Sequence, residues 1–401
     1  MDGVERAAGE RCARGDSVLP FVSIVIPCRN EEPFIGPCLE SVIANDYPKD
    51  RLEVLVVDGA SEDRTREVVS GYTREHPWVK LLENPRRVTP AALNVGIREA
   101  RGSIVMRMDA HSDYEPAYVS KCVRALEEWS ADNVGGAWVI VPRQPTLVGA
   151  AIVKALAHAF GIGNARYRGA RGAPCWVDTV PYFCCRRELF DEVGLFNEQL
   201  ARGQDMEFSR RLLSAGKRTL LVPDIVSYYH ARSDLKSFVK HNWTNGVWAI
   251  LPFMHSSVVP VSARHLVPLA FVGSVLGSGI LAIRLRAFRA LLALILGSYA
   301  AADLTASTHV AWRERKPSYL LVMPWIFGLL HAGYGAGSLW GMIRLLGSPA
   351  FWQRVCRSEV AESRREGRDG DMSDTCACSH FRNRETIGSR ALPGSSLLVR
   401  P

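Results

Sequence analysis

At Val105-Met106-Arg107-Met108-Asp109-Ala110-His111-Ser112-Asp113, a mostly apolar run ends in an acid, a small residue and a histidine. This pattern is typical of a buried strand that ends at an active site. Because side chains alternate in direction along a strand, Asp109 and His111 would lie on one side and Ala110 on the other. A carboxylate and an imidazole that converge in this way can hold one divalent metal ion. The pattern therefore predicts a metal site, suited to a diphosphate group, at the C-terminal end of a strand.

Strand and helix patterns alternate on the N-terminal side of this segment. Short β-branched runs at 21–27, 52–59 and 79–82 predict strands, and the spacing of apolar residues predicts helices at 34–45 and 91–100. Such alternation indicates βαβ units, a parallel sheet and right-handed crossovers. Ligands of these sheets bind beyond the carboxyl ends of the strands. We therefore expect an α/β domain with a Rossmann-like, mostly parallel sheet.

Polar side chains follow three of the predicted strands. Asn30-Glu31, Asp58 and the Asp109/His111 pair all come directly after apolar runs, so they would meet at the carboxyl edge of the sheet. Neither a G-x-G-x-x-G fingerprint nor a P-loop follows the first strand, which argues against a dinucleotide-dependent dehydrogenase. Phosphate charge would then be neutralised by a metal ion and basic side chains.

The next segment is less regular. We predict a strand at 135–141, a helix at 149–160 and either a strand pair or a bulge within 177–187. Between them, residues 161–174 are rich in glycine and arginine. This segment is either a mobile loop that closes over a substrate or an ordinary solvated basic loop, and the sequence leaves both interpretations open.

A second chemical candidate is Asp205, which follows a glycine and opens a predicted helix. The N-terminus of a helix favours an ionised carboxylate, and such a carboxylate can take a proton from an acceptor hydroxyl. The alternative is that Asp205 only caps the helix. Glu207 either orients an acceptor or pairs with Arg211, four residues further on.

The composition of the 401-residue chain changes along its length. Residues 21–260 mix charged and apolar residues as a globular domain does, whereas 264–346 are mostly apolar. We predict a disordered leader at 1–20 and a disordered tail at 355–401. The short cluster Cys376-Ala377-Cys378-Ser379-His380 resembles a set of metal ligands, but it cannot complete a closed site alone.

Charge and cysteine content narrow the range of partners. The formal net charge of +8 favours an anionic partner, such as a nucleotide, a phosphate or an acidic membrane face. Nucleic acid is disfavoured, because the arginines are scattered and no recognised nucleic-acid-binding module is present. Several of the ten cysteines lie in segments predicted to be strand or interior, which indicates a reducing compartment rather than a disulfide-stapled secreted fold.

Three apolar runs occupy the region 264–346, at about 266–283, 290–302 and 319–343. The first and third are long enough to span a bilayer, whereas the middle one is short, so we expect two or three transmembrane helices. Arginines between the first two runs prevent the distribution of positive charge from fixing the orientation.

These motifs together resemble glycosyltransferase family 2, whose catalytic domain has the GT-A fold. The stretches that carry the resemblance are Ile26-Pro27-Cys28-Arg29-Asn30-Glu31, Val57-Asp58-Gly59-Ala60-Ser61-Glu62-Asp63-Arg64-Thr65, Ala92-Leu93-Asn94-Val95-Gly96, Asp109-Ala110-His111 and Gln204-Asp205-Met206-Glu207. The resemblance is strongest to the succinoglycan-type exopolysaccharide glycosyltransferases, which share Asp-Ala-His and a C-terminal His-x-x-Tyr-Gly-x-Gly. Here that second motif is His331-Ala332-Gly333-Tyr334-Gly335-Ala336-Gly337.

The resemblance implies a role for each candidate site residue. It implies that Pro27, Glu31 and Asp58 contact the nucleoside, and we also expect Arg29, Asn94, Asp109 and Arg232 to help bind the nucleotide-sugar. Asp109 and His111 would hold Mg²⁺ or Mn²⁺ on the diphosphate, and Asp205 would be the general base of a direct, inverting displacement. For Arg232, a position facing the diphosphate and a plain surface position both remain open.

Two departures from the family pattern matter. His111 replaces the usual second aspartate, which lowers the charge of the site and makes metal binding more dependent on pH, because an imidazole must be neutral to bind a metal. The Gln-x-x-Arg-Trp motif of processive members is not evident, and the nearest stretch is His241-Asn242-Trp243-Thr244-Asn245-Gly246-Val247-Trp248. We therefore expect transfer of a single sugar rather than polymer synthesis.

The resemblance also implies partners and a location. The donor would be a UDP-hexose such as UDP-glucose, and the acceptor a saccharide on a polyprenyl diphosphate, in exopolysaccharide or cell-surface glycan synthesis. A polysaccharide assembly complex is a further candidate partner. The chain would be a multi-pass protein of the bacterial plasma (inner) membrane, with the catalytic domain in the cytoplasm, where nucleotide-sugars are found.

Two alternative functions remain open from the sequence. A nucleotidyltransferase could use a similar metal and sheet, but it would normally need a Gly-rich, Lys-containing loop at 28–36, which this chain lacks. A non-catalytic membrane scaffold of a polysaccharide assembly or export complex is opposed by the presence of Asp58, Asp109 and Asp205 together.

Overall fold

The computed structural model of the chain describes residues 19–163, 167–168, 172–256, 258–349 and 351–353. The predicted leader up to residue 18, the predicted tail and its Cys/His cluster lie outside these residues. The predicted mobile loop at 161–174 lies partly outside them, and of its arginines only Arg168 is described.

Within the described residues, nine strands form one mixed sheet. The strands are β1 (Val22–Cys28), β2 (Leu52–Asp58), β3 (Val79–Glu83), β4 (Ile104–Arg107), β5 (Ser112–Tyr114), β6 (Asn133–Pro142), β7 (Cys175–Val177), β8 (Cys184–Arg186) and β9 (Thr219–Ala231). Their order across the sheet is β3-β2-β1-β4-β8-β6-β9-β5, and β7 pairs with β9 beside this path. The first four strands in this order are parallel, as predicted, whereas β5, β7 and β8 pair antiparallel with their neighbours.

Helices cover both faces of the sheet and continue into the C-terminal region. They are α1 (Glu32–Ile43), α2 (Thr65–Glu75), α3 (Thr89–Glu99), α4 (Tyr118–Glu128), α5 (Leu147–Ala157), α6 (Ala159–Ile162), α7 (Leu189–Val193), α8 (Gln204–Ser214), α9 (Leu235–Ile250), α10 (Val267–Ala282), α11 (Arg286–Glu314) and α12 (Tyr319–Leu346).

Two layers of apolar side chains hold the parallel strands. Ile24 and Met106 belong to the core cluster that includes α1 and α4, while Val25 and Val105 belong to the cluster that includes α3 and α8. Because these strands are buried on both faces, they have near-continuous apolar sequences rather than alternating ones. Their parallel register brings their C-terminal ends to one edge of the sheet, where the polar side chains follow.

The chain turns earlier than predicted after the fourth strand. Regular strand geometry ends at Arg107, so Asp109 and His111 lie in the turn between β4 and β5 rather than on one face of an extended strand. The turn is required because β5 pairs antiparallel with β9 at the far side of the sheet. The predicted extended strand through 109–111 is therefore wrong, although Asp109 and His111 still lie half-buried at the carboxyl edge, with Ala110 buried between them.

The longest strand, β9, contains a proline that hides it in the sequence. Its parallel pairing with β6 shifts register between Gly136 and Ala137, where Val222 and Val226 are the successive partners. The intervening residues form a bulge that accommodates Pro223, which has no N–H group to donate to a neighbouring strand. The bulge lets β9 continue to Ala231, at the carboxyl edge of the sheet.

The described C-terminal region contains three helices long and apolar enough to cross a membrane, Ala263–Ala282, Arg286–Glu314 and Tyr319–Leu346. The middle one is longer than the predicted run at 290–302. Its polar continuation is accommodated because Asp303 and Ser307 are buried against the protein and bonded to each other at 3.1 Å, between Ser307 Oγ and Asp303 Oδ1.

Helix α9 of the sheet domain packs directly on α12. A Cβ atom added at Gly337 would lie 2.1 Å from the carbonyl oxygen of Trp243, and one added at Gly246 would lie 2.0 Å from that of Tyr334. Ser338 Oγ also donates to the carbonyl oxygen of Gly246 at 3.1 Å. These contacts hold the sheet domain against the apolar helices at a fixed, short separation.

Candidate active site

The centre of the carboxyl edge is Arg107, the last residue of β4. Its Nε and Nη2 donate to the two carboxylate oxygens of Asp109 at 2.7 and 3.2 Å. Its Nη1 donates to Oδ1 of Asp205, at the start of α8. Only 7% of the Arg107 side chain is exposed. One buried guanidinium therefore joins two carboxylates that are 96 residues apart in the chain, as the numbers 109 and 205 show.

The electrostatics of this triad are strongly coupled. Burial by itself lowers the pKa of Arg107, but Asp109 and Asp205 outweigh that effect and raise the pKa above its usual value. For Asp205, desolvation raises the pKa, Arg107 opposes the rise, and the negative charge of Asp109 adds to it. The net pKa of Asp205 is higher than that of an ordinary aspartate. Because 45% of its side chain remains exposed, a hydroxyl group can still reach this carboxylate.

Asp205 does not cap the helix that it opens. Gly203 occupies the N-cap position with a positive φ of 78°, and no side chain caps the helix. The alternative in which Asp205 serves only as a cap therefore has no hydrogen bond to support it. Glu207 is buried and bonded to Arg211, with 2.9 Å between Arg211 Nε and Glu207 Oε1, which is the pairing considered from the sequence.

His111 lies beside a second carboxylate, Glu31. Its Nδ1 is 3.1 Å from Oε1 of Glu31, and its ring packs edge-on against Tyr229 with 5.8 Å between ring centroids. A carboxylate at Nδ1 favours the tautomer in which Nε2 carries the lone pair. That arrangement is common for histidines that bind metals, because the carboxylate orients the ring.

The donor set at 109–111 fits a divalent metal ion only if the substrate supplies further ligands. Among the described residues, no group of three or more His, Cys, Asp or Glu side chains is arranged to hold a metal. Asp109 has lone pairs beyond those that accept from Arg107, and His111 offers Nε2. Mg²⁺ is commonly bound by one or two carboxylates together with substrate phosphates and water. The carboxylate of Asp109 fits that mode, and His111 offers a nitrogen ligand two residues away.

The residues implied in nucleoside binding lie at the ends of β1 and β2. Asp58 is fully buried and accepts from the backbone N–H of Ser61 at 3.1 Å and from Nη1 of Arg66 at 3.1 Å. Pro27 is half-buried in β1, opposite Val57. The Nε of Arg29 is buried, and within the described residues it has no hydrogen-bond partner.

Asn94 and Arg232 lie apart from this group. Asn94 is buried, donates to the carbonyl oxygen of Phe196 at 2.9 Å and to Oε1 of Glu198 at 2.8 Å, and accepts from the N–H of Phe196 at 2.9 Å. Its amide therefore holds the segment before α8 in place. Arg232 lines a cavity beside the C-terminal helices.

Arg107 was not identified as a site residue from the sequence. A signal was present, because an arginine at the end of an apolar strand can be buried only if carboxylates accompany it. The sequence offered Asp109 as one partner, two residues away. The second partner, Asp205, is distant in the chain and becomes evident only from the fold.

Comparisons with known proteins agree with this architecture. The model of a family described as "Glycosyl transferase family 2" matches residues 23–194. A Methanococcus voltae protein named dolichyl N-acetyl-alpha-D-glucosaminyl phosphate 3-beta-D-2,3-diacetamido-2,3-dideoxy-beta-D-glucuronosyltransferase is 31% identical over 234 residues, which are 56% of this chain and 72% of the relative. Succinoglycan biosynthesis protein ExoA of Rhizobium meliloti (strain 1021) is 31% identical over 261 residues, which are 60% of this chain and 76% of the relative.

A solved structure shows the same fold. The mannosyltransferase PcManGT from Pyrobaculum calidifontis, determined in complex with GDP-Man and Mn²⁺, has a TM-score of 0.53 and 22% sequence identity to this chain. The match covers 84% of this chain and 92% of that protein. The predicted GT-A fold, followed by apolar C-terminal helices, is confirmed.

Proposed function

The chain belongs to glycosyltransferase family 2 and is a glycosyltransferase, and from that premise we propose that it moves a single sugar, with inversion, from a nucleotide-sugar to a lipid-linked saccharide. The donor would be a UDP-hexose such as UDP-glucose. The product would enter exopolysaccharide or cell-surface glycan synthesis. Two relatives support the acceptor class by their names alone, one acting on a dolichyl-linked N-acetylglucosaminyl phosphate and one belonging to succinoglycan biosynthesis.

The observation that carries this proposal is the contact of Arg107 with both Asp109 and Asp205. Asp109 would hold the donor end of the site and Asp205 the acceptor end. A buried guanidinium fixes the separation of the two carboxylates, so the donor and the attacking hydroxyl would meet in one orientation. Such positioning alone can account for much of a rate enhancement.

On the acceptor side, Asp205 would act as the general base. Its exposed carboxylate would accept the proton of the attacking hydroxyl as the new glycosidic bond forms and the bond to the nucleoside diphosphate breaks. The raised pKa of Asp205 makes it a better proton acceptor than an ordinary aspartate. Arg107 would keep the carboxylate ionised and pointed at the cleft.

On the donor side, Asp109 and His111 would hold Mg²⁺ or Mn²⁺, which when bound would supply positive charge against the departing diphosphate. Glu31 would fix the orientation of the His111 ring. Asp58, Pro27 and Arg29 would line the nucleoside end. Asn94 would act indirectly, by holding the segment at 196–198 through its buried amide.

We further propose that the chain is a multi-pass protein of the bacterial plasma membrane, with its sheet domain in the cytoplasm. The three apolar helices support membrane insertion. Nucleotide-sugars are cytoplasmic, which supports a donor site on that side. A polysaccharide assembly complex remains a candidate partner.

The test is a donor panel with the full chain in detergent. Hydrolysis and transfer would be measured with UDP- and GDP-sugars, with Mn²⁺, with Mg²⁺ and with EDTA. We expect one UDP-hexose to be used in a metal-dependent way, and Asp109→Ala to reduce turnover roughly a hundredfold or more. The matched control is Asp191→Ala, an exposed aspartate on α7. Turnover unchanged in Asp109→Ala, or no donor consumed at all, would contradict the proposal.

A further inference from the structure

A cavity of about 620 Å³ lies between the sheet domain and the C-terminal helices. Its walls come from the end of β9, the start of α8, the helices α5, α6 and α9, and the apolar helices α10, α11 and α12. Nothing in the proposed donor chemistry uses this space. Its size is that of a small-molecule site, and its lining changes in character from one end to the other.

The first zone borders the proposed reaction centre. Tyr229 lines the cavity and also contacts the ring of His111, the proposed metal ligand. Its ring is stacked on Trp138, with 4.6 Å between centroids and an interplanar angle of 6°. Gly203, two residues before the proposed base, and Met206, directly after it, line the same end. A flat aromatic surface beside a carboxylate suits the apolar face of a sugar ring.

The second zone is positively charged. The basic residues that line the cavity are Arg168, Arg202, Arg232, Arg264, His241 and His265, together with His331 at the apolar end. Among the described lining residues none is an aspartate or glutamate. Arg264 has a partner outside the lining, Asp178, with 3.5 Å between Nη1 and Oδ2. Arg202 is bonded only to neutral groups in the contacts it makes here, Oδ1 of Asn245 at 3.1 Å and Nδ1 of His241 at 3.4 Å.

The basic groups in this zone repel one another electrostatically. Burial and the nearby Arg232 lower the pKa of Arg202, and burial with Arg232 and Arg202 lowers the pKa of His241 to about 3. The Nε of Arg168 is buried and, within the described residues, has no hydrogen-bond partner. Half-buried positive charges that outnumber their counter-charges are unfavourable, so an anion bound here would stabilise this zone.

The third zone is apolar and reaches into the helices that could cross a membrane. Phe271 of α10, Tyr299 of α11 and Leu330 of α12 line this end, together with Phe160. Phe271 and Tyr299 are stacked, with 4.5 Å between ring centroids. Because these side chains lie on three candidate membrane spans, an apolar chain in this zone would continue directly into a bilayer.

We infer that this cavity binds the acceptor as a single amphiphilic anion, with its saccharide at Tyr229, its phosphate or diphosphate at the arginines and its hydrocarbon chain among α10, α11 and α12. This inference rests on the proposed function, which requires the saccharide end of the acceptor to lie at the reaction centre. The order of the three zones matches the order of the three chemical parts of such a molecule. Arg232 then serves the phosphate of the acceptor rather than that of the donor.

The experiment measures binding by the full chain in detergent, with EDTA present so that metal-dependent binding of a diphosphate at the donor site is suppressed. Three probes are used, namely farnesyl diphosphate, inorganic diphosphate and farnesol. We expect farnesyl diphosphate to bind more tightly than either of the other two, because it alone fills both the charged and the apolar zones.

Substitutions at Arg202 and Phe271 test the charged zone and the apolar zone separately. Arg202→Gln should weaken farnesyl diphosphate and inorganic diphosphate alike, by roughly tenfold or more, because a charge-assisted hydrogen bond is lost. Arg202→Lys should restore part of that affinity. Phe271→Ala should weaken farnesyl diphosphate and farnesol but leave inorganic diphosphate unchanged. Arg124→Gln, at an exposed arginine of α4, is the charge-matched control and should bind all three probes normally.

Three outcomes would overturn the inference. Equal affinity for inorganic diphosphate and farnesyl diphosphate would mean a site for a free anion. Equal affinity for farnesol and farnesyl diphosphate would mean adsorption to an apolar surface. Unchanged binding by a folded Arg202→Gln protein, checked by its melting temperature, would place the anion elsewhere.

Failure of this inference can be told apart from failure of the proposed function. Hydrolysis of the donor by the wild-type chain without any acceptor tests the donor chemistry separately. If hydrolysis occurs but the lipid diphosphate does not bind in the predicted way, the cavity assignment is wrong and the enzyme activity stands. If no donor is hydrolysed but the binding pattern holds, the cavity assignment stands and the proposed reaction is wrong.

Discussion

Arginine is buried in the Arg107 cleft and half-buried in the cavity beside the C-terminal helices, and the two regions balance its charge differently. In the cleft, Arg107 is bonded to two carboxylates of the same chain, Asp109 and Asp205. In the cavity, Arg202 is bonded to neutral groups and lies near Arg232, which itself has the carboxylate of Asp234 nearby, and no described lining residue is acidic. Because buried charge requires a counter-charge, the charge of Arg107 is balanced by carboxylates of the same chain, whereas the cavity has an excess of positive charge that an anionic ligand would balance.

This difference separates two kinds of site. A cleft that supplies its own counter-charge holds its side chains in one arrangement before substrate arrives, which is what positioning of reacting groups requires. A cavity that lacks a counter-charge gains stability on binding an anion and therefore selects one. We expect substitutions in the cleft to change the rate of reaction, and substitutions in the cavity to change binding of the acceptor.

The largest expected effect concerns the base. Asp205→Asn keeps the size and the hydrogen-bonding geometry of the side chain but removes its capacity to accept a proton. Transfer should fall by about 10² to 10⁴-fold, while affinity for the nucleotide-sugar is kept. Steady-state kinetics and donor binding on the same preparation provide the measurement. Asp191→Asn on the exposed face of α7 is the matched control. If Asp205→Asn loses donor binding and transfer in parallel, Asp205 is a binding residue and not the base.

The next effect tests whether the cleft is balanced by Arg107. Arg107→Met removes the cation and leaves Asp109 and Asp205 facing each other without a partner. Removing one member of a buried ion pair typically costs about 3 kcal/mol or more, so the melting temperature in detergent should fall markedly. Arg124→Met, at an exposed site, should change it little. A melting temperature equal to that of the wild type would mean that solvent, and not Arg107, balances the two carboxylates.

A smaller effect is expected where the sheet domain meets the apolar helices. A methyl group at Gly337 would lie 2.1 Å from the carbonyl oxygen of Trp243, whereas one at Gly328, on the same helix, has no atom within 4 Å. Gly337→Ala should therefore force α9 and α12 apart and cost about 1 to 3 kcal/mol, and it should also weaken binding of farnesyl diphosphate. Gly328→Ala is the matched control. Equal melting temperatures for the two variants would mean that the α9–α12 contact does not define the cavity.

Much of the sheet domain was predictable because its information is local. Buried parallel strands have continuous apolar sequences, and their polar C-terminal ends mark the ligand edge. The parallel strands β1 to β4 and the position of Asp58, Asp109 and His111 at that edge follow from this alone. Strand β9 was hidden by Pro223, whose bulge interrupts the strand pattern.

Two features could not be read locally. The partner of Arg107 is Asp205, and nothing in the spacing of the two residues indicates their contact. The cavity is lined by residues from Ile152 to Tyr334, and although His331 and Tyr334 belong to the C-terminal His-x-x-Tyr-Gly-x-Gly motif, that motif does not indicate the arginines that share the cavity with it. The length of the middle apolar helix was underestimated for a related reason. Asp303 is a polar residue that ends the apolar run in the sequence, but in the fold its side chain is buried against the protein.

The smallest predicted effect is a pH dependence in which activity and stability respond in opposite directions. The pKa of Asp205 is raised above its value in an unfolded chain. A group with a raised pKa contributes stability below its unfolded pKa and loses that contribution as the pH rises through its folded pKa. A general base works only when ionised, so transfer should fall by about tenfold for each pH unit below the same folded pKa. Thus acid conditions should favour the fold at this residue while suppressing the reaction.

The measurement compares wild type with Asp205→Asn, following kcat/KM and melting temperature from acid to neutral pH. The wild-type advantage in melting temperature should shrink as the pH rises, and the acid limb of its rate profile should lie above the pKa of an ordinary aspartate. If the acid limb instead gives a pKa at or below that of an ordinary aspartate, the positive charge of Arg107 lowers the pKa of Asp205 more than desolvation raises it.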